Sequence, residues 1–414
     1  MSQEKMTRRE FVRKAAVGAA GFAIAGPSLL SPARVLGAND RLSIGIIGPG
    51  QRCQSLMDEV HKLSEKCNVQ ITAVCDIWTV NLDKAANKIK GWYGAEPKKY
   101  RHYEDLLASK DVDAVIIATA DFQHATMLAD AVSAGKDVYC EKPMANDLRE
   151  AKRALKAVLD SGRIVQIGTQ RRSEGAYAAA AETIQSGVLG TISKVDINWN
   201  YYGARWRRGD VNEAKEQDVE WRRFLMSKKY REFDPHQFME WRLFRDFSGG
   251  IADQWLSHMI DTVHWLTGEQ YPKSVVAHGG VYVWKDGREN EDTFQALLEY
   301  PKGFLVSYST KFGNSAGDGM FIYGTNGTLD CNKWKITGDG GGGDKKIKGE
   351  IAIQAKPSVN HMQNWLDCVR SRTQPNADVR SGYSHSVADI MATRALRSGR
   401  KVIFDPVSQE IREV

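Results

Sequence analysis

The sequence predicts an α/β domain on a doubly wound parallel sheet, followed by an α+β domain with a mostly antiparallel sheet. Two patterns carry this. From Arg41 to Ile167, short β-branched runs alternate with helix-like segments, as a parallel sheet with helical crossovers requires. Beyond about residue 170, β-rich segments follow one another with turn residues between them and little helix, as hairpins do.

Arg41–Ile47 suits a strand buried on both faces and runs into Gly48-Pro49-Gly50. A helix is expected from about Ser55 to Leu63, and a second strand at Val69–Cys75, ended by Asp76. Asp113–Ala118, Asp137–Cys140 and Ile164–Ile167 read as further strands, and His124–Ala134 and Asn146–Ser161 as helices. In the second half, Ile192–Tyr201, Ser274–Val283, Thr293–Glu299 and Phe304–Thr310 are strand-like, with turn signals at Lys285–Gly287, Pro301–Gly303 and Asn326-Gly327. Ile251–Leu266, His361–Ser371 and Ser384–Gly399 read as helices, the last packing back on the first domain. The expected domains are therefore 39–168 and 169–414.

Residues 1–38 belong to neither. Arg8-Arg9 precedes a short Ala/Gly-rich apolar run, and Val35-Leu36-Gly37-Ala38 supplies a small-residue cleavage candidate. Charge, apolar run and small residues come in the order of a twin-arginine export signal. The run is too short to span a bilayer. Export would engage the twin-arginine translocase and deliver the protein to the periplasm. The segment holds six basic and two acidic side chains, so it accounts for four of the chain's six net positive charges. What remains gives no electrostatic basis for nucleic-acid binding. The six cysteines form no CxxC pair and suggest buried thiols rather than a zinc site, and no metal is expected.

The glycine turn has a physical role. Gly48 permits a tight turn out of the first strand, and Gly50 lets backbone approach a pyrophosphate at the N–H groups of the next helix. Cys53 stands where a third glycine is usual. The Asp76 carboxylate can accept both ribose hydroxyls and repel a 2′-phosphate, favouring NAD, although Arg52 could meet such a phosphate in NADP.

These residues, with Ala118–His124, Ala134–Pro143, Gln166–Arg172, Gly249-Gly250, Ser257–Asp261 and His361–Ser371, resemble the glucose–fructose oxidoreductase / inositol dehydrogenase (Gfo/Idh/MocA) family over essentially the whole segment after residue 38. The resemblance implies a Rossmann domain and a second domain with a large open sheet that supports dimers or tetramers. It implies a cofactor set of Gly48, Gly50, Gln51, Arg52, Asp76, Thr119, Asp121, His124, Glu141, Lys142 and Gln170. Lys142, in Glu141-Lys142-Pro143, would lie between nicotinamide and substrate, with Pro143 fixing a cis or otherwise rigid turn. His258 would be the acid–base group, with Asp261 orienting it or binding substrate. His258, Asp261 and Trp265 share a helix face. Many relatives carry Asp four residues before this histidine, where this chain has Gln254, which cannot take a proton.

Residues 199–247 are rich in aromatics and arginines, which stack on sugar rings and bind hydroxyls or carboxylates. The expected substrate contacts are Arg171, Arg172, Tyr202, Trp241, Gln254 and His258. The function expected is oxidation of a sugar, glycoside or polyol hydroxyl with NAD(P), the cofactor held tightly and recycled. Two alternatives stand beside it: redox-assisted glycoside cleavage and dinucleotide binding without catalysis.

Overall fold

The structure, a computed structural model, describes residues 40–414; the expected export signal lies outside the described residues. The first sheet holds β1 (Leu42–Ile47), β2 (Val69–Cys75), β3 (Lys98–Tyr100), β4 (Ala114–Ile117), β5 (Asp137–Cys140) and β6 (Val165–Ile167). Their order is β3-β2-β1-β4-β5-β6, and each neighbouring pair is parallel. Every residue of β4 and β5 is buried, because helices cover both faces of such a sheet. The chain order reverses between β1 and β4, so the loops leaving these two strands open a crevice at the carboxyl edge.

The helix after β1 spans Gln51–Lys62, beginning four residues earlier than its apolar pattern alone indicates. Its N-terminus therefore abuts the glycine turn directly. Cys53 is fully buried in its first turn, so a thiol fills the place of the usual third glycine. The helix Leu148–Ser161 starts at Asp147, whose side chain accepts from Glu150 N, and ends at left-handed Gly162.

The second sheet has ten strands. After β7 (Ile192–Asn198), the short β8 (Tyr201–Tyr202) leaves it to pair with β12 (Gly313–Asn314). The rest are β9 (Ser274–Gly280), β10 (Thr293–Glu299), β11 (Leu305–Lys311), β13 (Gly319–Gly324), β14 (Gly327–Asp330), β15 (Lys335–Thr337), β16 (Glu350–Ala352), β17 (Val402–Asp405) and β18 (Glu410–Glu413). The order is β16-β15-β14-β13-β7-β11-β10-β9-β17-β18, antiparallel except for the parallel pair β7–β11. The Asn326-Gly327 signal is the turn of the β13–β14 hairpin, where Gly324 pairs with Gly327.

Two helices from the end of the chain complete the first domain. His361–Ser371 joins one core, where Met362, Trp365 and Leu366 meet Ile44, Leu56 and Val69. Val379–Ser398 packs against both Leu148–Ser161 and β9. A separate aromatic nest of Trp78, Trp221, Phe224, Phe238, Trp241 and Phe247 holds the long excursion between β8 and the next helical segment. All six cysteines are buried and unpaired. Among the described residues no helix is long and apolar enough to cross a membrane.

Candidate active site

Gly48 has φ of +78°, and a Cβ there would lie 2.6 Å from Thr119 Cγ2 and 3.1 Å from Thr119 Cα. The turn out of β1 thus touches the loop leaving β4, and only glycine fits. At Gly50 a Cβ would meet no protein atom within 4 Å. It would instead fill the space over the N-terminus of Gln51–Lys62, a helix with no side-chain cap and no acid in its first turn. Backbone N–H groups there are left for an anion, as a pyrophosphate requires. Gln51 stands exposed at that terminus.

Asp76 ends β2, nearly buried, and its Oδ1 accepts Trp78 N at 2.8 Å. Burial pushes its carboxyl up to about 6, against the opposing hydrogen bond from Trp78. Arg52 is committed elsewhere: its Nε donates to Glu141 Oε1 at 2.7 Å. Burial opposes the guanidinium charge, but Glu141 outweighs it and holds Arg52 above the ordinary arginine value. Glu141 also accepts from Lys142 N at 3.2 Å and from Gln170 Nε2 at 3.5 Å, while Gln170 bonds Tyr139 Oη at 2.9 Å. His124 is a buried strut, with Nδ1 at 2.8 Å from Pro143 O and Nε2 at 3.2 Å from Thr119 O. It ties the loop after β4 to the turn after β5. The Thr119 hydroxyl faces Met127 Sδ. This cradle fits a dinucleotide: an open anion site at Gly50, a carboxylate at Asp76, and a rigid floor of Thr119, His124 and Glu141.

The turn after β5 has a cis Lys142-Pro143 bond. Lys142 Nζ donates to Gln254 O at 3.0 Å and to Gln254 Oε1 at 3.3 Å. Arg242 Nε donates to the same Oε1 at 3.0 Å, and Gln254 Nε2 donates to Asp121 Oδ2. Ser248 Oγ donates to Asp121 Oδ2 as well, at 2.7 Å. Gln254 is therefore a hub that uses both ends of its amide. A carboxylate at 254 could accept from the two cations but could not donate to Asp121. Asp121 is thus engaged by side chains of the second domain.

Gln254 sits in a π-helical turn, Ala252–Leu256, that runs into the α-helix Ser257–Thr267 carrying His258. One continuous α-helix is the reading its sequence pattern suggests; the wider turn changes which side chains share a face, and such turns recur at functional sites. Asp253 accepts Gly249 N. Burial, then the nearby Asp121, push Asp253 up to about 7.

His258 is partly buried, its ring 6.0 Å from that of Trp199. Burial first, then Lys142 and Arg171, hold its proton affinity well below the ordinary histidine value. Lys142 is likewise lowered by burial. Asp261 does not meet His258. Its carboxylate accepts Arg172 Nε at 2.9 and 2.8 Å, and His385 Nδ1 lies 3.9 Å away. Burial raises Asp261, and Arg172 with His385 outweighs it and keeps the group below the ordinary carboxylate range.

The remaining candidates divide. Arg171 lies over the rings of Tyr177 and Trp199, toward His258. Arg172 is turned to Asp261. Trp241 is buried in the aromatic nest and carries Arg242 on its face at 4.0 Å. Tyr202 is 67% exposed and pairs edge-on with Trp284. Three participants carry no local sequence signal: Trp255, stacked on Trp199; Ser248; and His385, which comes from a helix far along the chain.

An anion cradle at a β1/β4 switch point, with Lys142 at the same sheet edge bonded to Gln254 of the second domain, defines a dinucleotide-binding protein with a second domain over the cofactor crevice. Residues 42–169 match the oxidoreductase family with NAD-binding Rossmann fold, and residues 223–330 match the GFO/IDH/MocA C-terminal domain. The chain belongs to the Gfo/Idh/MocA family. It is 30% identical to an inositol 2-dehydrogenase of Salmonella paratyphi B over 232 residues, a match spanning 56% of either protein. It is 24% identical to the inositol 2-dehydrogenase of Rubrobacter xylanophilus over 88% of this chain and 93% of that enzyme. The fold is similar to the WlbA dehydrogenase of Bordetella pertussis, solved with NADH and UDP-GlcNAcA, at TM-score 0.66, 20% identity and coverage of 88% and 99%. It is similar to the aldose-aldose oxidoreductase of Caulobacter crescentus at TM-score 0.66 and 20% identity, covering 88% of this chain and all of that one (100%).

Proposed function

We propose that this chain is an NAD(P)-dependent oxidoreductase that converts a hydroxyl of a sugar, glycoside or polyol to a ketone. The observation that carries this is Lys142, half-buried at the sheet edge and held by Gln254, with its charge acting on a histidine kept in its neutral form. Bound nicotinamide supplies the hydride acceptor. His258 takes the hydroxyl proton, and the Lys142 ammonium donates to the same oxygen and stabilises charge that develops on it. Trp199, partly buried and with its ring 6.0 Å from that of His258, offers an apolar edge for a sugar ring. The inositol dehydrogenases among its relatives support the polyol class. Asp76, and an Arg52 already tied to Glu141, favour NAD over NADP.

Arg8-Arg9 and the apolar run after it support export by the twin-arginine route with cofactor already bound and recycled in place. Val276, Leu297 and Leu305, exposed on β9, β10 and β11, support a dimer or tetramer formed through the open sheet.

The test is to denature the purified protein, identify released nucleotide by mass spectrometry, and assay NADH formation on a panel of sugars, glycosides and cyclic polyols. Nucleotide release and NADH formation are expected. Aglycone release with no net NADH would assign redox-assisted cleavage instead. Bound nucleotide with no turnover on any member would leave a binding protein.

A further inference from the structure

Two cations converge on one neutral oxygen at the sheet edge. Lys142 Nζ donates to Gln254 Oε1 at 3.3 Å, and Arg242 Nε donates to the same atom at 3.0 Å. The other end of that amide donates to Asp121 Oδ2. Gln254 therefore meets positive charge at its oxygen and negative charge at its nitrogen while carrying none itself. A carboxylate at this position would offset the repulsion between the two cations, and the amide leaves it standing.

Arg242 is fixed for this contact. It lies in the short turn Trp241–Leu243, where Asn290 Nδ2 donates to the Arg242 carbonyl at 2.9 Å and Asn290 N donates to the Leu243 carbonyl at 2.9 Å. Its guanidinium rests on the ring of Trp241 at 4.0 Å, and Trp241 is buried in the aromatic nest. Among the described residues Arg242 makes no ion pair, and its one side-chain hydrogen bond is the one to Gln254. Arg207, Arg208 and Arg231 of the same excursion instead meet carboxylates. Half-buried without a counter-charge, the Arg242 guanidinium costs stability where it stands.

Other charges reach Lys142 from every side. Glu141 adjoins it in its own turn, Asp121 acts from the segment after β4, and Asp253 acts from the π-helical turn. His258 of the following helix and Asp389 of the last long helix feel its charge as well. Burial lowers the proton affinity of Lys142 first; Asp121 and Glu141 raise it, and Arg242 opposes them.

We infer that Arg242 is a positioning residue for Lys142: bound to the same Gln254 oxygen, it keeps that oxygen turned to the lysine and sets a permanent positive charge beside the ammonium, which makes the ammonium a more acidic donor to the reacting oxygen. The inference rests on the hydroxyl-oxidation reading for the reaction and adds a residue on which its efficiency depends. A donor whose proton affinity lies nearer the working pH is the more effective one. Arginine, unlike lysine or histidine, keeps its charge throughout that range.

The experiment uses the full protein as purified. Trace acetic anhydride labels a lysine only when its amine is free. The extent of Lys142 acetylation between pH 7 and pH 11, read by peptide mass spectrometry, therefore gives its titration midpoint without turnover. Arg242→Met and Arg242→Gln should each move that midpoint up by about one pH unit, and Arg242→Lys should hold it within about a third of a unit. With NAD and a sugar that the protein oxidises, the alkaline limb of kcat/KM, where Lys142 loses its proton, should move up by the same amount. At pH 7 kcat should fall about threefold to tenfold in the first two variants and recover in Arg242→Lys, with KM and NAD affinity within about twofold. A midpoint unmoved in Arg242→Met or Arg242→Gln, or moved as far in Arg242→Lys, overturns the inference. A shifted midpoint in a protein that forms no NADH on any sugar upholds the pairing of Arg242 with Lys142 and removes the oxidation reading; NADH formation with an unmoved midpoint does the reverse.

Discussion

Lys142 and Gln254 meet twice: the ammonium donates to both the backbone carbonyl and the side-chain oxygen of the glutamine, at 3.0 and 3.3 Å. The lysine is thereby aimed by a residue that also donates to Asp121. Gln254→Glu keeps the size but removes that donor and sets two carboxylates against each other. A loss of about 1–3 kcal/mol in stability is expected at pH 7. The loss should shrink on acidification, as one proton comes to be shared between the pair. Thermal denaturation across pH measures it; an unchanged Tm at neutral pH would remove Gln254 from its place as hub.

Lys142→Met should abolish NADH formation and leave NAD affinity within a few fold, because the anion cradle lies at Gly50 and Asp76. Calorimetry and turnover assays separate the two effects. A large loss of NAD binding would move Lys142 from the reaction to the cofactor.

Two acidic limbs are expected in the pH profile. A general base must be unprotonated, and His258 is lowered by burial, Lys142 and Arg171, so kcat/KM at saturating NAD should persist as pH falls through 6.5 and fail only further down. NAD affinity should weaken earlier. Asp76 must be ionised to accept ribose hydroxyls, and burial puts its carboxyl at about 6. Titration of NAD binding between pH 5 and pH 8 should show the weakening, and Asp76→Asn should flatten it. A single limb common to both measurements would contradict this assignment.

Asp261 is predicted to act on stability rather than chemistry. It is buried and receives both contacts from Arg172 Nε. Asp261→Ala strands Arg172 and should cost about 3–5 kcal/mol, whereas joint replacement of Arg172 by Met and Asp261 by Leu should recover most of it. A selective fall in kcat with Tm unchanged would return Asp261 to the catalytic set.

Much of the site was legible because its parts sit at the ends of strongly patterned strands. Gly48 and Gly50 after β1, Asp76 after β2 and Lys142 after β5 all follow from period and position. His258 was reached through the family resemblance. The partners of Asp261 were not legible, since Arg172 and His385 approach it from distant parts of the chain and nothing local marks either. The hub at Gln254 was hidden for a different reason: a π-helical turn has the same residue types as an α-helix but another facing. In the second domain, the β-rich composition of Thr293–Glu299 and the turn signals on either side of it mark β10 to the residue. β13 to β16 carry no such signal, being short and interrupted by glycine and charge.

Asp389 gives a prediction about folding alone. It is fully buried, and among the described residues neither carboxylate oxygen has a hydrogen-bond partner. Burial, then Asp253, raise it well above the ordinary carboxylate value. The native state therefore keeps a proton that the unfolded chain releases near pH 4. Its contribution is fully present below that pH and is lost as pH rises toward the native pKa. Asp389→Asn should raise Tm at pH 8 and change it little at pH 5. Equal effects at both values would show that Asp389 is ionised and satisfied.

The helices 361–371 and 379–398 carry a consequence for how the molecule is made. Trp365 is fully buried in the core of the first sheet, Ile167 N donates to Ala377 O at 2.8 Å, and Gln166 Nε2 donates to His361 O at 2.6 Å. The nucleotide domain is therefore contiguous in motif but not in substance. Ribosomal synthesis must pass nearly two hundred residues beyond β6 before that domain can close its core. Its maturation is a late event, and the two halves should melt in one transition.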